Sequence, residues 1–478
     1  MKRLLLPILF LVATAAVAAD ADVERIAGAI LVHGHSMQYE RELTDGFGAR
    51  LVGTAAYDRA ADWSAAQFRA AGIANVRLED VPLSRGWERG AVTARMTAPL
   101  ARTLHLTPFA WTAATPAGGV RGEIVQLTEF NPDAVRARAK ELDGRIVMTS
   151  MGAMFGSGFF DYYRRYVATL EALKQAGARA MLVSVGGADN SIAAAQALLG
   201  VDDTPPLPMA ELGMEDAKLI ERLLASGPVS VDYSYESRFT PAHPIHNVVA
   251  EIRGSERPDE WIVVGAHLDS WDMATGAQDN GSGCAMVLEA ARAIAARRAP
   301  RRSIRFILWA GEEEGFLGSR AYATAHAAEL QNCVAALNAD AGAGHPKGWS
   351  TLGRADVAAA FRPIAKELLT DLGGADVSEA TTFILQSDHA FFLLAGVPTL
   401  ELMPDMSKYF DIHHRSSDTL DKVDAHNLAA NAAILAVTAY SVADRAERLA
   451  PRNDRAAVMQ ILEKTHTDTF AREMGWIQ

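Results

Sequence analysis

Cysteine is scarce. The 478 residues contain two, Cys284 and Cys333, too few for a scaffold built on disulfides. Both lie within apolar patterns and are expected to be buried free thiols. A basic run is also missing: 46 Lys and Arg stand against 58 Asp and Glu, a formal charge of −12. That balance argues against nucleic acid or an anionic membrane as a partner. Beyond the first twenty residues there is no second long apolar segment, so the mature chain is expected to be soluble, with no membrane attachment. Internal repeats and low-complexity stretches are absent. Ser387-Asp388-His389 invites a serine-nucleophile reading, but no Gly-x-Ser-x-Gly elbow accompanies it.

What is present first is an export signal. Lys2 and Arg3 precede an apolar run over residues 4–12, and small residues follow through Ala19. Residues 1–19 are expected to be a signal peptide, which places the mature protein outside the cell or in a periplasm. The rest has a globular composition, 49 % hydrophobic and 22 % charged, and a length suited to two or three domains.

The pattern changes twice along the chain. Residues 22–40 and 57–71 read as helices, the second stopped by Gly72. From about Arg102 to Pro244 a separate set of strands and helices alternates, with strands at 144–148 and 180–185 and helices at 162–176 and 214–225. Few of its residues suit metal ligation, so 102–244 is expected to be an insertion between 20–101 and 245–478. From Asn247 onward strands and helices alternate up to a helix at 425–445, which implies a mixed, mostly parallel α/β sheet sandwiched by helices. The tail from 446 is expected to be polar, with a peripheral helix.

Chemistry concentrates at strand ends. Val263-Val264-Gly265-Ala266-His267-Leu268-Asp269 reads as a buried strand ending in His-x-Asp. Asp279-Asn280-Gly281-Ser282-Gly283 opens a helix. A strand at 304–309 runs into Gly311-Glu312-Glu313-Glu314-Gly315, and another at 333–337 into Asn338-Ala339-Asp340. His413-His414 supplies a late imidazole. The C-terminal ends of strands are where open α/β sheets place their sites. A carboxylate at Asp279 can offer one oxygen to each of two cations. Adjacent Glu312 and Glu313 diverge, so one can bind metal while the other faces substrate. Asp269 is expected to accept the second N–H of His267. Each signal alone has an ordinary structural explanation, such as a cap, a helix start or a surface pair. Together they describe mixed N/O ligation of two zinc ions about 3.5–4 Å apart.

At these residues the chain resembles the zinc-dependent aminopeptidase and glutamate carboxypeptidase superfamily, and in particular its carboxypeptidase Q-like branch. The similarity extends to Gly48-Ala49-Arg50-Leu51-Val52-Gly53, Trp87-Glu88-Arg89-Gly90, Ser270-Trp271-Asp272, Lys408-Tyr409-Phe410 and Asp418-Thr419. It implies a zinc exopeptidase fold with an inserted protease-associated domain. It also implies one zinc on His267, Asp279 and Asp340, and another on Asp279, Glu313 and His414. Glu312 would be the general base acting on a metal-bridging hydroxide, with Asp269 orienting His267. His414 is preferred to His413 because the family's ligand stands four residues before the Asp-Thr pair. Dipeptides or short peptides with a free N-terminus are the implied substrates. The insertion would cap the site or mediate a homodimer. The same scaffold also carries one-zinc glutaminyl cyclases and binding proteins; a receptor would be expected to have lost ligands, and none is missing.

Other features read as structural. His33 and His35 suit a helix end, and His243 and His246 a solvated linker. Ser387-Asp388-His389 suits packing beside the metal site or lining of the substrate site. Tyr409 and Arg415 flank a ligand, where either could touch substrate or pack in the loop.

Overall fold

The computed structural model describes residues 21–155, 163–185, 187–198 and 200–477. The expected signal peptide lies outside the described residues.

Eight strands form the first sheet. In spatial order they are Asn75–Val81, Ile245–Ile252, Arg302–Trp309, Arg257–His267, Cys333–Asn338, Thr399–Met403, Gly348–Ser350 and Asp376–Ser378. The four strands from Arg302–Trp309 to Thr399–Met403 run parallel. Antiparallel partners flank them on both sides. The parallel centre is nearly continuous in hydrophobic residues because both of its faces are covered. Alternate residues serve opposite cores. Ile262, Val264, Phe306 and Leu308 meet the helices Ser282–Ala295 and Ala425–Asp444. Trp261, Val263, Ile307 and Trp309 pack instead with Tyr322 and Phe392. The period of two that turns successive side chains to opposite faces produces this division. The cysteines lie in different cores: Cys284, on the helix Ser282–Ala295, belongs to the first and Cys333 to the second, and both are free and buried.

A second eight-stranded sheet has its own cores on its two faces, centred on Val147, Met181 and Met209 on one side and Met148, Leu182 and Ala210 on the other. The expected insertion begins near residue 102, but this sheet already includes Gly86–Ala98. That strand pairs antiparallel with Ser230–Thr240, so the chain enters and leaves the second unit along one long ribbon. At the N-terminus, the helix expected over 22–40 is divided into 21–33 and Ser36–Arg41. Gly34 lies at the break, where a Cβ would collide with the Ile30 carbonyl oxygen. Among the described residues no helix is long and apolar enough to cross a membrane.

Candidate metal centre

Because the central strands are parallel, their C-terminal ends open at one edge of the sheet. His267 ends one strand, Glu312 and Glu313 follow its neighbour, and Asp340 follows the next. Asp279 arrives on the turn before the helix Ser282–Ala295. Asn280 anchors that turn: its Nδ2 donates to the Ala339 carbonyl at 2.9 Å, and its Oδ1 accepts the Gly283 N–H at 3.0 Å. Asp418 accepts the N–H groups of Gln278 and Asp279 at 2.7 and 3.1 Å. Arg50 is fully buried and donates to the carbonyls of Leu268, Thr275 and Gly276 at 2.7, 2.7 and 3.0 Å, tying the loop after His267 to the turn before Asp279.

Asp279 stands at the middle of the ligand set. Its Oδ1 lies 3.2 Å from His267 Nε2, which is also 3.1 Å from Asp340 Oδ1. Its Oδ2 lies 3.2 Å from His414 Nε2, which is also 3.0 Å from Glu313 Oε2. One carboxylate therefore serves two groups of ligand atoms, His267–Asp279–Asp340 on one side and the C-terminal histidines on the other. All five expected ligands are brought together. His413 joins them: its Nε2 is 3.3 Å from Asp279 Oδ2, and its ring stacks on that of His414 with centroids 3.7 Å apart.

Asp269 does something other than expected. His267 Nδ1 faces the backbone carbonyl of Asp269 at 3.1 Å, while the carboxylate is 3.8 Å away. The carboxylate instead accepts the N–H groups of Gly311, Glu312 and Glu313 at 2.8, 3.2 and 3.1 Å. Three donors from one tight loop satisfy its oxygens better than a single imidazole would. Asp269 thus fixes the segment that carries both glutamates.

The charge balance fits divalent cations. Burial pushes Glu312 well above the ordinary carboxylate range; His267 pulls it down, but Asp340, Glu313 and Asp388 push it further up. Burial likewise raises Glu313 to about 7 against the pull of His414. Asp279 Oδ2 and Glu313 Oε1 are buried with no hydrogen-bond donor aligned on them. His413 is pushed down to about 3, by burial and then by its neighbour His414. Burial opposes the protonation of His414, but Glu313 and Asp279 raise it to about 10. Burial opposes the protonation of His267 as well, but Asp340, Asp279 and Asp269 raise it. A crowd of buried carboxylates with protons held on two imidazoles is the donor set that a metal pair would neutralise.

Ser387-Asp388-His389 is buried beside the site. His389 Nδ1 meets Glu401 Oε2 at 3.0 Å, and its Nε2 donates to the Phe383 carbonyl at 2.9 Å. Asn338 Nδ2 donates to Ser387 Oγ at 2.8 Å, and Glu401 Oε1 accepts the Asp340 N–H at 3.1 Å. These groups brace Asp340, and the serine is engaged as an acceptor.

These candidate ligands open on a cavity of about 340 Å³ whose walls include Glu312, Glu313, Phe383, Tyr409 and Phe410. Phe470, Met474 and Trp476 also line it. The expectation of a polar, peripheral tail is corrected here: the tail forms the helices Arg455–Lys464 and Asp468–Glu473 and ends against the site. Trp476 packs on Phe316, Phe391 and Phe470 with ring centroids 5.6, 5.3 and 5.3 Å apart. The apolar residues Phe470, Trp476 and Ile477, grouped within a charged tail, were the available signal. Tyr409 is buried and lines the cavity, whereas Arg415 turns away to the Ser191 carbonyl at 3.1 Å.

A parallel sheet that gathers histidines and carboxylates around one shared aspartate, beside a small cavity, suits a metalloenzyme of α/β architecture. Comparison with known proteins agrees. Residues 247–439 match the model of peptidase family M28. The chain is 31 % identical to carboxypeptidase Q of Mus musculus over 446 residues, covering 91 % of this chain and 92 % of that protein. Carboxypeptidase Q of Homo sapiens is 30 % identical, with the same coverage of 91 % and 92 %. A peptidase M28 precursor from Shewanella amazonensis superposes with a TM-score of 0.80 at 29 % identity, covering 92 % of this chain and 100 % of that one. The chain belongs to peptidase family M28.

Proposed function

We propose that this chain is an exported peptidase that holds two zinc ions and hydrolyses dipeptides or short peptides from a free N-terminus. The observation that supports it most is the division of the Asp279 carboxylate between His267 and His414. His267, Asp279 and Asp340 would hold one ion, and Asp279, Glu313 and His414 the other. Mixed imidazole and carboxylate donors favour zinc, the metal named for a Bacillus subtilis aminopeptidase that shares the fold at a TM-score of 0.68 and 20 % identity, covering 88 % of this chain and 97 % of that one. Bound there, the pair would lower the pKa of a water between them and polarise the scissile carbonyl.

The chain's own groups supply the rest. Glu312 lines the cavity on the loop fixed by Asp269. It takes the proton as the water oxygen bonds to the carbonyl carbon. It then passes that proton to the amine nitrogen as the C–N bond breaks. The substrate's free amine would be taken at the metal pair, while Phe383, Phe410 and Trp476 form apolar surface for its side chain. The second unit is read as a protease-associated insertion that limits access to the site.

A panel of unblocked dipeptides and their N-acetyl counterparts tests this reading. Release of amino acid from the unblocked set, falling by about 100-fold or more on acetylation, is expected from loss of the free amine that would be held at the metal pair. Equal cleavage of both sets, or cleavage inside longer blocked peptides, would contradict it.

A further inference from the structure

The backbone of His414, on the loop after Thr399–Met403, is held by a segment that belongs with the second sheet. Its φ is +59°, a left-handed conformation that is uncommon for a residue with a side chain. Its carbonyl accepts the N–H of Ala194, from the second unit, at 2.6 Å. The next residue, Arg415, forms an antiparallel bridge with Ala193, and its guanidinium donates to the Ser191 carbonyl at 3.1 Å. The guanidinium crosses Gly187 so closely that a Cβ there would collide with it. Below this contact lies Glu211, fully buried on the strand Met209–Leu212 and within the fields of Arg89, His414 and Arg415. Arg89 forks onto both oxygens of Asp272 at 2.8 Å, joining the two units a second time. The other ligand group differs. His267 ends a strand inside the first sheet, and the Asp340 N–H is held by Glu401 of the same sheet.

We propose that the 187–194 loop of the second unit positions His414, so that the Asp279–Glu313–His414 ligand group takes up its metal only when that loop is docked. The His267–Asp279–Asp340 group assembles without it. This inference rests on the two-zinc reading above. It gives the second unit a part in building the catalytic centre, beyond covering it.

The test is chelator competition on the full chain, resolving the two zinc affinities. Ala194→Pro removes the N–H that holds His414, and Gly187→Val displaces the Arg415 guanidinium. Each is expected to weaken one zinc by about tenfold or more and to leave the other within about twofold, as loss of a ligand's outer support does. Excess zinc should then restore hydrolysis. Equal weakening of both positions, or of neither, would overturn the proposal. Should Ala194→Pro fail to fold by circular dichroism, Arg415→Ala removes the guanidinium that reaches the Ser191 carbonyl, leaves the Ala194 N–H in place, and is judged by the same outcomes. A parent protein that takes up fewer than two zinc ions overturns the two-zinc reading, and this inference with it.

Discussion

Asp269 accepts the amide N–H of Glu313 at 3.1 Å, joining the loop after one central strand to the loop after its neighbour. Because the same carboxylate holds the N–H groups of Gly311 and Glu312, it sets where both glutamates point. Asp269→Asn replaces one acceptor oxygen with a donor that faces other donors. Turnover is expected to fall by about 10- to 100-fold, the usual cost of losing outer support at a metal site. Steady-state kinetics beside a zinc assay would show this as a loss in kcat larger than any loss of bound metal.

Glu312 and Glu313 are adjacent in sequence and separate in role. Glu312→Gln should keep the metals and lower kcat by about 10²- to 10⁴-fold, as expected for removal of a general base. Glu313→Ala should lower zinc content itself. Near-normal turnover of Glu312→Gln would exclude it as the base.

Trp476 and Phe470 close one wall of the cavity. Trp476→Ala is expected to raise KM for dipeptides with large apolar side chains by about 10-fold, with little change for alanyl dipeptides, because the lost surface is apolar. A uniform change across side chains would show that the tail stabilises the fold and does not select substrate.

Glu211 makes stability depend on pH. Burial raises its carboxyl from 4.5 to about 8 in the folded chain, against the pull of Arg89, His414, Arg415 and the Ala193 N–H. The folded state therefore binds the extra proton between those values, and stability falls as pH rises through that window. Glu211→Gln cannot ionise. Its gain in unfolding free energy over the parent, read from denaturant titrations, should be small at pH 5 and larger at pH 8, reaching on the order of a few kcal/mol. A gain that is constant with pH would contradict the assignment.

Much of the candidate site was legible because the residues it brings together lie where strand patterns end. His267, Asp340 and Glu313 lie at or after the ends of buried runs whose parallel pairing puts those ends at one edge, and Asp279 precedes the Gly-rich start of a buried helix. Less legible was the part that depends on backbone donors. The Asp269 carboxylate serves three amides of the glutamate loop, and residue types do not reveal where N–H groups point. The start of the second sheet was also hidden: Gly86–Ala98 alternates like any strand, and only its pairing with Ser230–Thr240 assigns it. The tail was misjudged because its charged residues outnumber the few aromatic ones that pack against the site.

Zinc content coupled to activity tests the central claim most directly. Purified protein stripped with a chelator and titrated with zinc should take up two ions per chain, with dipeptide hydrolysis abolished by stripping and restored as the second ion binds. Full hydrolysis with a single ion, or hydrolysis that survives complete removal of metal, would contradict the account.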